Sequence, residues 1–333
     1  MLGKNNMKYI DRIYGENEIT EPVVLEIMNS PEMQRLKGVD QAGYFEAYFP
    51  GTAHSCFEHS VGDYLLLKKY GAPIEEQIAG LIHDVSHSAF SHAADYYFST
   101  GSQKEHNHQD NSFEGYVRNS SLPKILEKYN FDLEYILDDK NFPFKENNLP
   151  DICSDRIDYS LRGILVFKIG EKKDVECILD NLKTENGQWI FSNFESAQKY
   201  AKYFKILNEK YYCDIISALI FSVTGYYIKH SIENKYISLE DLYTTDDVVI
   251  EKISAHLDKD KKLKYLFDRM NNKVKFKNDP TDFEEHVFCK SRVIDPLCHH
   301  GEKIMRVSEI NLDWKVVVEE EMKPKEYFLK FLQ

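Results

Sequence analysis

The sequence predicts a mainly α-helical protein that ends in a small α+β segment. Apolar residues recur at helical spacing through much of the chain. The clearest stripe comprises Ile74, Ile78, Leu81, Ile82 and Val85. Short strand-like runs lie beyond residue 290, over 292–297 and 303–307, on either side of a turn-like stretch. Hydrophobic residues make up 42% of the 333 residues, so the chain can bury a core and is not expected to be disordered.

The first helices are placed by their boundary residues. Pro22 and Pro31 each suit the first turn of a helix, where a missing backbone N–H costs nothing. Residues 42–54 contain a proline-glycine turn and are predicted to be a loop. A helix is predicted over about 58–70, and the apolar stripe predicts the helix that follows it.

The rest of the chain is predicted from the same signals. In chain order we expect polar loops over 99–112 and 138–150, a helix over about 150–167, a hairpin turning at Gly187-Gln188, helices over about 193–232 and 239–271, and a strand over 314–318. Single cores stop growing near ~250–300 residues, so the length favours more than one unit. We predict a helical domain over 1–260 with its helical extension and a C-terminal α+β appendage over 261–333.

The charge balance restricts the class of partner. The chain has 55 acidic and 42 basic side chains, a formal net charge of −13. A sequence-independent nucleic-acid binder needs a surplus of basic residues on its binding face, and an anionic membrane surface makes the same demand. We therefore expect no polymeric nucleic acid and no membrane as a partner. A phosphorylated ligand would need metal ions or a local basic cluster.

The sequence is not expected to carry an export signal. Residues 1–9 lack the apolar core of a signal peptide, and the six cysteines are scattered without paired spacing. Both features favour a cytoplasmic protein with reduced thiols. The apolar run over 211–228 contains Asp214 and other polar residues, which favours a buried helix over a membrane span.

The histidines are concentrated in one part of the chain. Seven of the twelve lie between His54 and His108. Their sharpest element is the pair His83-Asp84, with His59 upstream and Asp155 downstream, which together offer a mixed nitrogen and oxygen ligand set. Such a set suits Fe, Mn, Zn, Ni or Co.

Other polar residues surround this ligand set in the predicted fold. His87, His92 and His108 are expected to line the open side of the site, where a phosphate would fit. Asp155 shares one predicted helix face with Asp158, Tyr159 and Arg162. A His-Asp pair by itself usually does not bind a metal, and the acidic helix by itself would be a solvent-exposed face. Only the ordered combination favours a site.

The combination resembles the HD-domain metal-dependent phosphohydrolases, named for their His-Asp pair. Within that superfamily the chain is most similar to the deoxynucleoside triphosphate triphosphohydrolases and their bacterial relatives. The matching segments are 9–15, 34–41, 49–60, 80–92, 155–159 and 290–296. The resemblance is dense over 9–165 and returns near 290–310. It implies an HD-type helical bundle around a metal site.

The resemblance assigns roles to individual residues. It implies that His59, His83, Asp84 and Asp155 hold a divalent transition metal. It implies that His92, backed by Asp95, engages the scissile phosphate, and that His87 and His108 contact phosphate in the pocket. The residues expected at the substrate are Tyr159, Gln109, Cys56 and Arg162.

The implied activity is hydrolysis of a small nucleotide by metal-activated water attacking phosphorus. A deoxynucleoside triphosphate cleaved to deoxynucleoside and triphosphate is the leading expectation. A Mg²⁺ ion arriving with the substrate and a homodimer or homotetramer are implied as well.

Some positions depart from the family pattern. An arginine that usually grips phosphate is replaced by Cys56, and a glutamate is replaced by Gln109. Phe204–Cys213 has no clear counterpart of the later phosphate-binding helix. Two alternatives therefore stay open: a nucleotide phosphomonoesterase or phosphodiesterase, and a nucleotide-sensing protein with little turnover.

Overall fold

The computed structural model describes residues 6–98 and 101–332, and helices dominate them. The α-helices are α1 (Pro22–Met28), α2 (Pro31–Arg35), α3 (Cys56–Lys69), α4 (Ile74–Ile82), α5 (His108–Arg118), α6 (Leu122–Lys128), α7 (Leu133–Leu137), α8 (Ser154–Val166), α9 (Lys172–Asn181), α10 (Phe194–Leu207), α11 (Ile215–Glu233), α12 (Asp246–Ser254), α13 (Lys261–Met270), α14 (Val307–Ile310) and α15 (Leu312–Glu321). Short 3-10 helices cover Leu36–Gly38, Ser91–Tyr96, Asp139–Asn141 and Glu240–Tyr243, and a π-helical turn covers Asn208–Tyr212. The mainly α fold class is confirmed.

The strands form three small sheets. They are β1 (Met7–Asp11), β2 (Gly15–Ile19), β3 (Leu182–Glu185), β4 (Gln188–Phe191), β5 (Phe276–Asn278), β6 (Glu285–Cys289), β7 (Leu297–His300), β8 (Lys303–Arg306) and β9 (Lys325–Phe331). The sheet orders are β1-β2, β3-β4-β7-β8 and β5-β9-β6. All pairings are antiparallel except β4 with β7, which is parallel.

Helix α3 is the centre of the helical body. Eleven of its 14 residues are buried, and it packs between α4 and α8. Leu66 on one side joins a core with Ile157 of α8, while Val61 on another joins a core with Ile78 of α4. Because α3 touches both neighbours, side chains from all three helices can meet near one point.

A third core surrounds α11. This helix is apolar and long enough to cross a membrane, but 67% of its most apolar window is buried inside the protein. It packs against α13 and the Ser91–Tyr96 turn. It is the only such helix within 6–98 and 101–332. These contacts support its interpretation as a core helix.

The predicted hairpins are confirmed, with one shifted boundary. β3 pairs with β4 around Asn186 and Gly187, which both have positive φ, as a tight turn requires. β7 pairs with β8 around Gly301, but its strand begins only at Leu297, five residues later than expected from 292–297.

Several predicted boundaries were wrong. The segment predicted as a strand over 314–318 lies in α15, because Asn311 caps the helix by accepting from the backbone N–H groups of Asp313 and Trp314. The long helix over 239–271 is interrupted, since Thr245 and Asp260 each start a new helix as its N-cap.

Two more predicted segments were corrected by the structure. The helix predicted over 193–232 is interrupted by the π-helical turn and by Asp214, which caps α11. The loop predicted over 99–112 ends early because α5 begins at His108; its residues 99 and 100 lie outside the described part of the chain. The helix predicted from residue 150 begins at Ser154.

The segment predicted as an appendage is bonded to the helical body. β7 pairs with β4, and α13 packs on α11. The domain boundary between residues 260 and 261 stays a prediction.

Candidate metal centre

Three helix ends bring the expected ligand residues together. His59 lies in the first turn of α3, behind a capping box formed by Ser55 and Glu58. His83 is the C-cap of α4, so the His83-Asp84 pair follows that helix and does not lie within it as the stripe predicted. Asp155 is the second residue of α8.

The facing atoms of these side chains are close. His59 Nε2 lies 2.9 Å from Asp155 Oδ1 and 3.2 Å from His83 Nε2. Asp84 contributes Oδ2 at 3.6 Å from His59 Nε2 and Oδ1 at 3.4 Å from His83 Nε2. His83 Nε2 lies 3.6 Å from Asp155 Oδ1. Two nitrogens and two carboxylates therefore face a common point.

Contacts behind the imidazoles fix which nitrogen faces that point. His59 Nδ1 donates to Asp158 Oδ2 at 2.8 Å, and His83 Nδ1 donates to the carbonyl of Gly80 at 2.6 Å. With the proton placed on Nδ1, each Nε2 presents a lone pair. Metal-ligating histidines are generally oriented in this way, by a hydrogen bond from the ring nitrogen that does not bind the metal.

The four side chains fit a divalent transition metal. Ligand distances of 2.0–2.2 Å place neighbouring ligand atoms about 3.0–3.5 Å apart, which matches the separations in this cluster. One ligand atom from each of His59, His83 and Asp155 lies within 4.8 Å of the other two. Burial alone would raise the pKa of Asp84, but His83 and His87 hold that pKa well below its ordinary value. The carboxylate is therefore available as a ligand.

A cavity of about 580 Å³ opens above this cluster. Seven of the residues predicted for the site line it: His83, Asp84, His87, His92, Gln109, Asp155 and Tyr159. Its volume lies in the range of small-molecule sites. His59 is fully buried beneath it.

The cavity histidines form a chain leading away from the cluster. His87 Nε2 lies 3.2 Å from Asp84 Oδ1, and its ring packs edge-on against His92 at 5.2 Å. His92 in turn stacks with His106 at 5.8 Å. Burial, followed by the charges of His87 and Arg292, lowers the pKa of His92 to about 3. His92 is therefore neutral at neutral pH.

Gln109 lines the cavity from the start of α5. Its side-chain amide donates to the backbone carbonyl of His83, so it also holds the end of α4. Its expected role at the substrate stays a prediction.

Two residues expected at the substrate lie elsewhere. Arg162 has no exposed surface; its Nε donates to Asp158 at 2.7 Å and its Nη2 donates to Asp11 at 2.7 Å. It supports Asp158 and does not line the cavity, because it lies one helical turn beyond Asp158 and points into the core. Cys56 is fully buried with its Sγ 3.4 Å from Ser91 Oγ, so it does not line the cavity either.

Asp95 and His108 lie behind the cavity wall. Asp95 Oδ1 accepts from the backbone N–H of His108 at 2.9 Å, and the His108 ring stacks on Phe98 at 4.3 Å. Asp95 offers an oxygen within 4.8 Å of ring nitrogens of His92 and His106. Direct phosphate contact by His108 is not supported, because its ring is buried and does not line the cavity.

Sequence reasoning missed several lining residues. Gln41 donates to Asp84 Oδ2 at 3.0 Å, and Arg156 pairs with Glu146 at 3.0 Å. Lys290 and Arg292 reach the cavity from the C-terminal segment. The latter pair had a signal, since two basic residues two positions apart stand out in an acidic chain. Aromatic rings complete the lining: Phe45, Phe167, Tyr211, Tyr212 and Phe221.

Comparison with curated proteins finds several relatives. The uncharacterized protein YdhJ of Bacillus subtilis is 31% identical over 92% of this chain and 92% of its own length. The metal-dependent phosphohydrolase cns2 of Cordyceps militaris is 32% identical over 55% of this chain and 52% of its own. The human deoxynucleoside triphosphate triphosphohydrolase SAMHD1 is 34% identical over 38% of this chain and 23% of its own. The chain belongs to the HD-domain metal-dependent phosphohydrolases.

Solved structures share the fold of this HD phosphohydrolase. A phosphohydrolase of Bacteroides thetaiotaomicron superposes with a TM-score of 0.74 at 15% identity, covering 99% of this chain and 100% of the other. A hypothetical protein of Aquifex aeolicus gives a TM-score of 0.73 at 17% identity, with 98% and 96% covered. No family model matches the chain. This HD phosphohydrolase spans about half the length of cns2 and under a quarter of that of human SAMHD1.

Proposed function

We propose that this HD phosphohydrolase hydrolyses nucleotides at phosphorus, with a deoxynucleoside triphosphate as the leading substrate. The observation that carries the proposal is the His59, His83, Asp84 and Asp155 cluster at the base of a cavity lined by aromatic rings and cations. A nucleotide needs both surfaces, because its base stacks on rings while its phosphates require positive charge.

The chemistry at the base of the cavity follows from its ligand set. A divalent cation held by His59, His83, Asp84 and Asp155 would supply a Lewis acid and a water of lowered pKa. A Mg²⁺ ion accompanying the phosphates is part of the proposal, because Mg²⁺ is commonly bound through substrate phosphates together with one or two carboxylates.

The protein's own side chains position the reacting groups. Gln41 orients Asp84 through its 3.0 Å hydrogen bond. His92, neutral at neutral pH, can donate its one N–H to a phosphoryl oxygen on which charge develops. His87, between Asp84 and His92, continues this polar wall.

The aromatic part of the cavity supports a nucleotide over a simple phosphate ester. Phe167 and Tyr211 stack at a centroid distance of 3.9 Å, and Phe221 of helix α11 also lines the cavity. Stacking on such rings tolerates any base. The named activity of the SAMHD1 relatives supports the deoxynucleoside triphosphate specifically.

One alternative activity has an observation of its own. Glu105, Asp110 and Glu146 also line the cavity, and Cys56 does not reach it. Three carboxylates oppose a highly charged triphosphate more than a single phosphate. These residues favour the alternative of a nucleotide phosphomonoesterase or phosphodiesterase.

A product assay separates these activities. The metal-loaded protein would be incubated with deoxynucleoside triphosphates, ribonucleoside triphosphates, nucleoside monophosphates and cyclic nucleotides. Release of inorganic triphosphate supports the leading proposal, and release of orthophosphate or opening of a cyclic nucleotide supports the alternative. Bound nucleotide with no product from any substrate would contradict both and favour a sensing protein.

A paired substitution tests the metal centre in the same assay. Asp84→Ala is expected to abolish metal content and turnover, because it removes a carboxylate 3.4 Å from His83 Nε2. Asp180→Ala, an exposed aspartate on α9, is the matched control and should retain both. Full activity in Asp84→Ala would refute the proposed site.

Assembly and location remain part of this proposal. We propose a cytoplasmic homodimer or homotetramer, by similarity to the triphosphohydrolases. Sedimentation velocity with and without nucleotide measures the assembly, and a monomer under both conditions would contradict it.

A further inference from the structure

Two cations reach the cavity from the C-terminal segment. Lys290 and Arg292 follow β6 and line the cavity, while Ser291 between them is buried on the other side. Residues two apart on a non-helical segment can share one face, as these two do. The segment therefore presents a pair of basic side chains to the space above the ligand cluster.

Neither cation is bonded to a carboxylate within the part of the chain that the structure describes. Across residues 6–98 and 101–332, neither side chain makes an ion pair or a side-chain hydrogen bond. Two buried arginines, by contrast, are paired with carboxylates: Arg162 with Asp11 and Asp158, and Arg269 with Glu285. An unpaired and partly buried cation is costly, so two side by side indicate a place for an anion.

Lys290 and Arg292 also repel each other, because both side chains carry positive charge in the same cavity. Burial, followed by the charge of Arg292, lowers the pKa of Lys290 to about 8. The charges of Asp110 and Glu105, which also line the cavity, only partly offset this effect. A bound phosphate would relieve the repulsion between the two cations.

The backbone of the segment is held firmly. Asn208, fully buried in the π-helical turn, accepts from the backbone N–H of Arg292 at 2.8 Å and donates to Ser291 Oγ at 2.9 Å. Its amide also donates to Glu321 Oε2 at 3.2 Å. These bonds hold the segment at Ser291 and Arg292 before a ligand arrives, which reduces the entropy lost on binding.

His92 and His106, which also line the cavity, do not supply positive charge. Burial lowers the pKa of His92 to about 3 and holds the pKa of His106 well below its ordinary value, with Arg292 contributing at both. Cys56 lies outside the cavity. Among the lysines and arginines that line the cavity, Lys290 and Arg292 are the two with no bonded carboxylate, since Arg156 is paired with Glu146.

We propose that Lys290 and Arg292 form the phosphate-binding side of the cavity and hold the phosphate groups of the substrate against the ligand cluster. The assignment rests on the proposed function for its substrate class. The site itself is a pair of cations that binds orthophosphate, pyrophosphate or tripolyphosphate, with affinity rising with the number of phosphates.

Calorimetry on the metal-free protein tests the site without any turnover. Tripolyphosphate is titrated into the wild type, Lys290→Gln, Arg292→Gln and the double variant. Each single substitution is expected to weaken binding at least about tenfold, because a charge-assisted hydrogen bond is lost. Lys273→Gln, an exposed lysine 3.7 Å from Asp268, is the control and should bind as the wild type does.

Rescue distinguishes binding from folding. Arg292→Lys should recover part of the affinity, and all variants should unfold near the wild-type temperature. A double variant that binds tripolyphosphate as tightly as the wild type overturns the inference, and so does a wild type that binds none.

The inference and the proposed function can fail separately. Binding that depends on Lys290 and Arg292, in a protein that hydrolyses no nucleotide, sustains the site and contradicts the proposed function. Nucleotide hydrolysis with an unchanged KM in both single variants sustains the function and contradicts the site.

Discussion

His59 Nδ1 donates a 2.8 Å hydrogen bond to Asp158 Oδ2, and both side chains are completely buried. The same carboxylate accepts from Arg162 Nε at 2.7 Å, and Arg162 is held by Asp11 in turn. A row of buried charges thus runs from the N-terminal strand β1 to the proposed ligand cluster. The orientation of His59 depends on residues that touch neither metal nor substrate.

Substitution of Asp158 should separate this support from the ligands themselves. Asp158→Asn removes the charge shared by His59 and Arg162, so metal affinity is expected to fall by about 10–100-fold. Leaving Arg162 with one carboxylate should also cost roughly 3–5 kcal/mol of unfolding free energy. Metal titration and denaturant unfolding measure the two effects. Asp268→Asn, which weakens surface ion pairs with Lys264 and Lys273, should change stability by less than about 1 kcal/mol. Unaltered metal affinity in Asp158→Asn would argue against the orienting role.

The row of charges also explains a glycine in the middle of α3. A Cβ on Gly62 would lie 1.9 Å from Arg162 Nη2 and 2.2 Å from Asp158 Oδ1. Gly62→Ala should therefore displace both side chains and lower thermal stability and metal affinity together. Gly115→Ala on α5, where a Cβ meets nothing within 4 Å, should be neutral or stabilise by about 0.5–1 kcal/mol. Equal melting temperatures for the two variants would contradict this packing account.

The thiol of Cys56 should be unreactive towards disulfide reagents in the native protein. Burial, followed by the charge of Asp84, raises the pKa of its thiol well above the ordinary value. Titration of the native protein with a disulfide reagent should modify Cys177 first, because the other five cysteines are buried, and activity should survive. Loss of activity in step with modification of Cys56, located by peptide mapping, would restore its role at the substrate.

Replacing Cys56 by the arginine that is usual in the family should not create a phosphate-binding residue. Cys56→Arg would place a cation where no surface is exposed, so we expect a loss of several kcal/mol of stability or failure to fold. Cys56→Ser, which keeps the contact with Ser91, is the control and should fold. A stable Cys56→Arg protein with a lower KM would contradict the placement of Cys56.

The pH dependence of substrate capture should report on Lys290. Its pKa is lowered to about 8 by burial and then by Arg292, so it is cationic below about pH 8 and loses its charge as the pH rises through that value. Arg156 faces it as well and acts in the same direction, while Asp110 and Glu105 oppose them. Since kcat/KM reports groups of the free enzyme, it should fall above about pH 8. Lys290→Arg should remove this limb, because an arginine keeps its charge. An identical alkaline limb in both proteins would assign it to another group.

The helical class and the hairpins followed from local signals. Apolar spacing predicted α4, and Gly187-Gln188 predicted the hairpin that β3 and β4 form. Local signals failed where capping outweighed composition. The segment 314–318 was expected to be a strand, yet the Asn311 cap and the buried ring of Trp314, 4% exposed, make it part of α15.

The sequence by itself determined the mainly α fold class, the family and the ligand-type residues, because these depend on spacing along one element and on a combination of motifs. Only the tertiary structure decided which of the residues face the cavity. Arg162 and Cys56 turn into the core, while Lys290 and Arg292 arrive from a segment more than 130 residues beyond Asp155. That difference is physical: the packing of α3 between α4 and α8, and the anchoring of Arg292 by Asn208, are long-range contacts that no local pattern encodes.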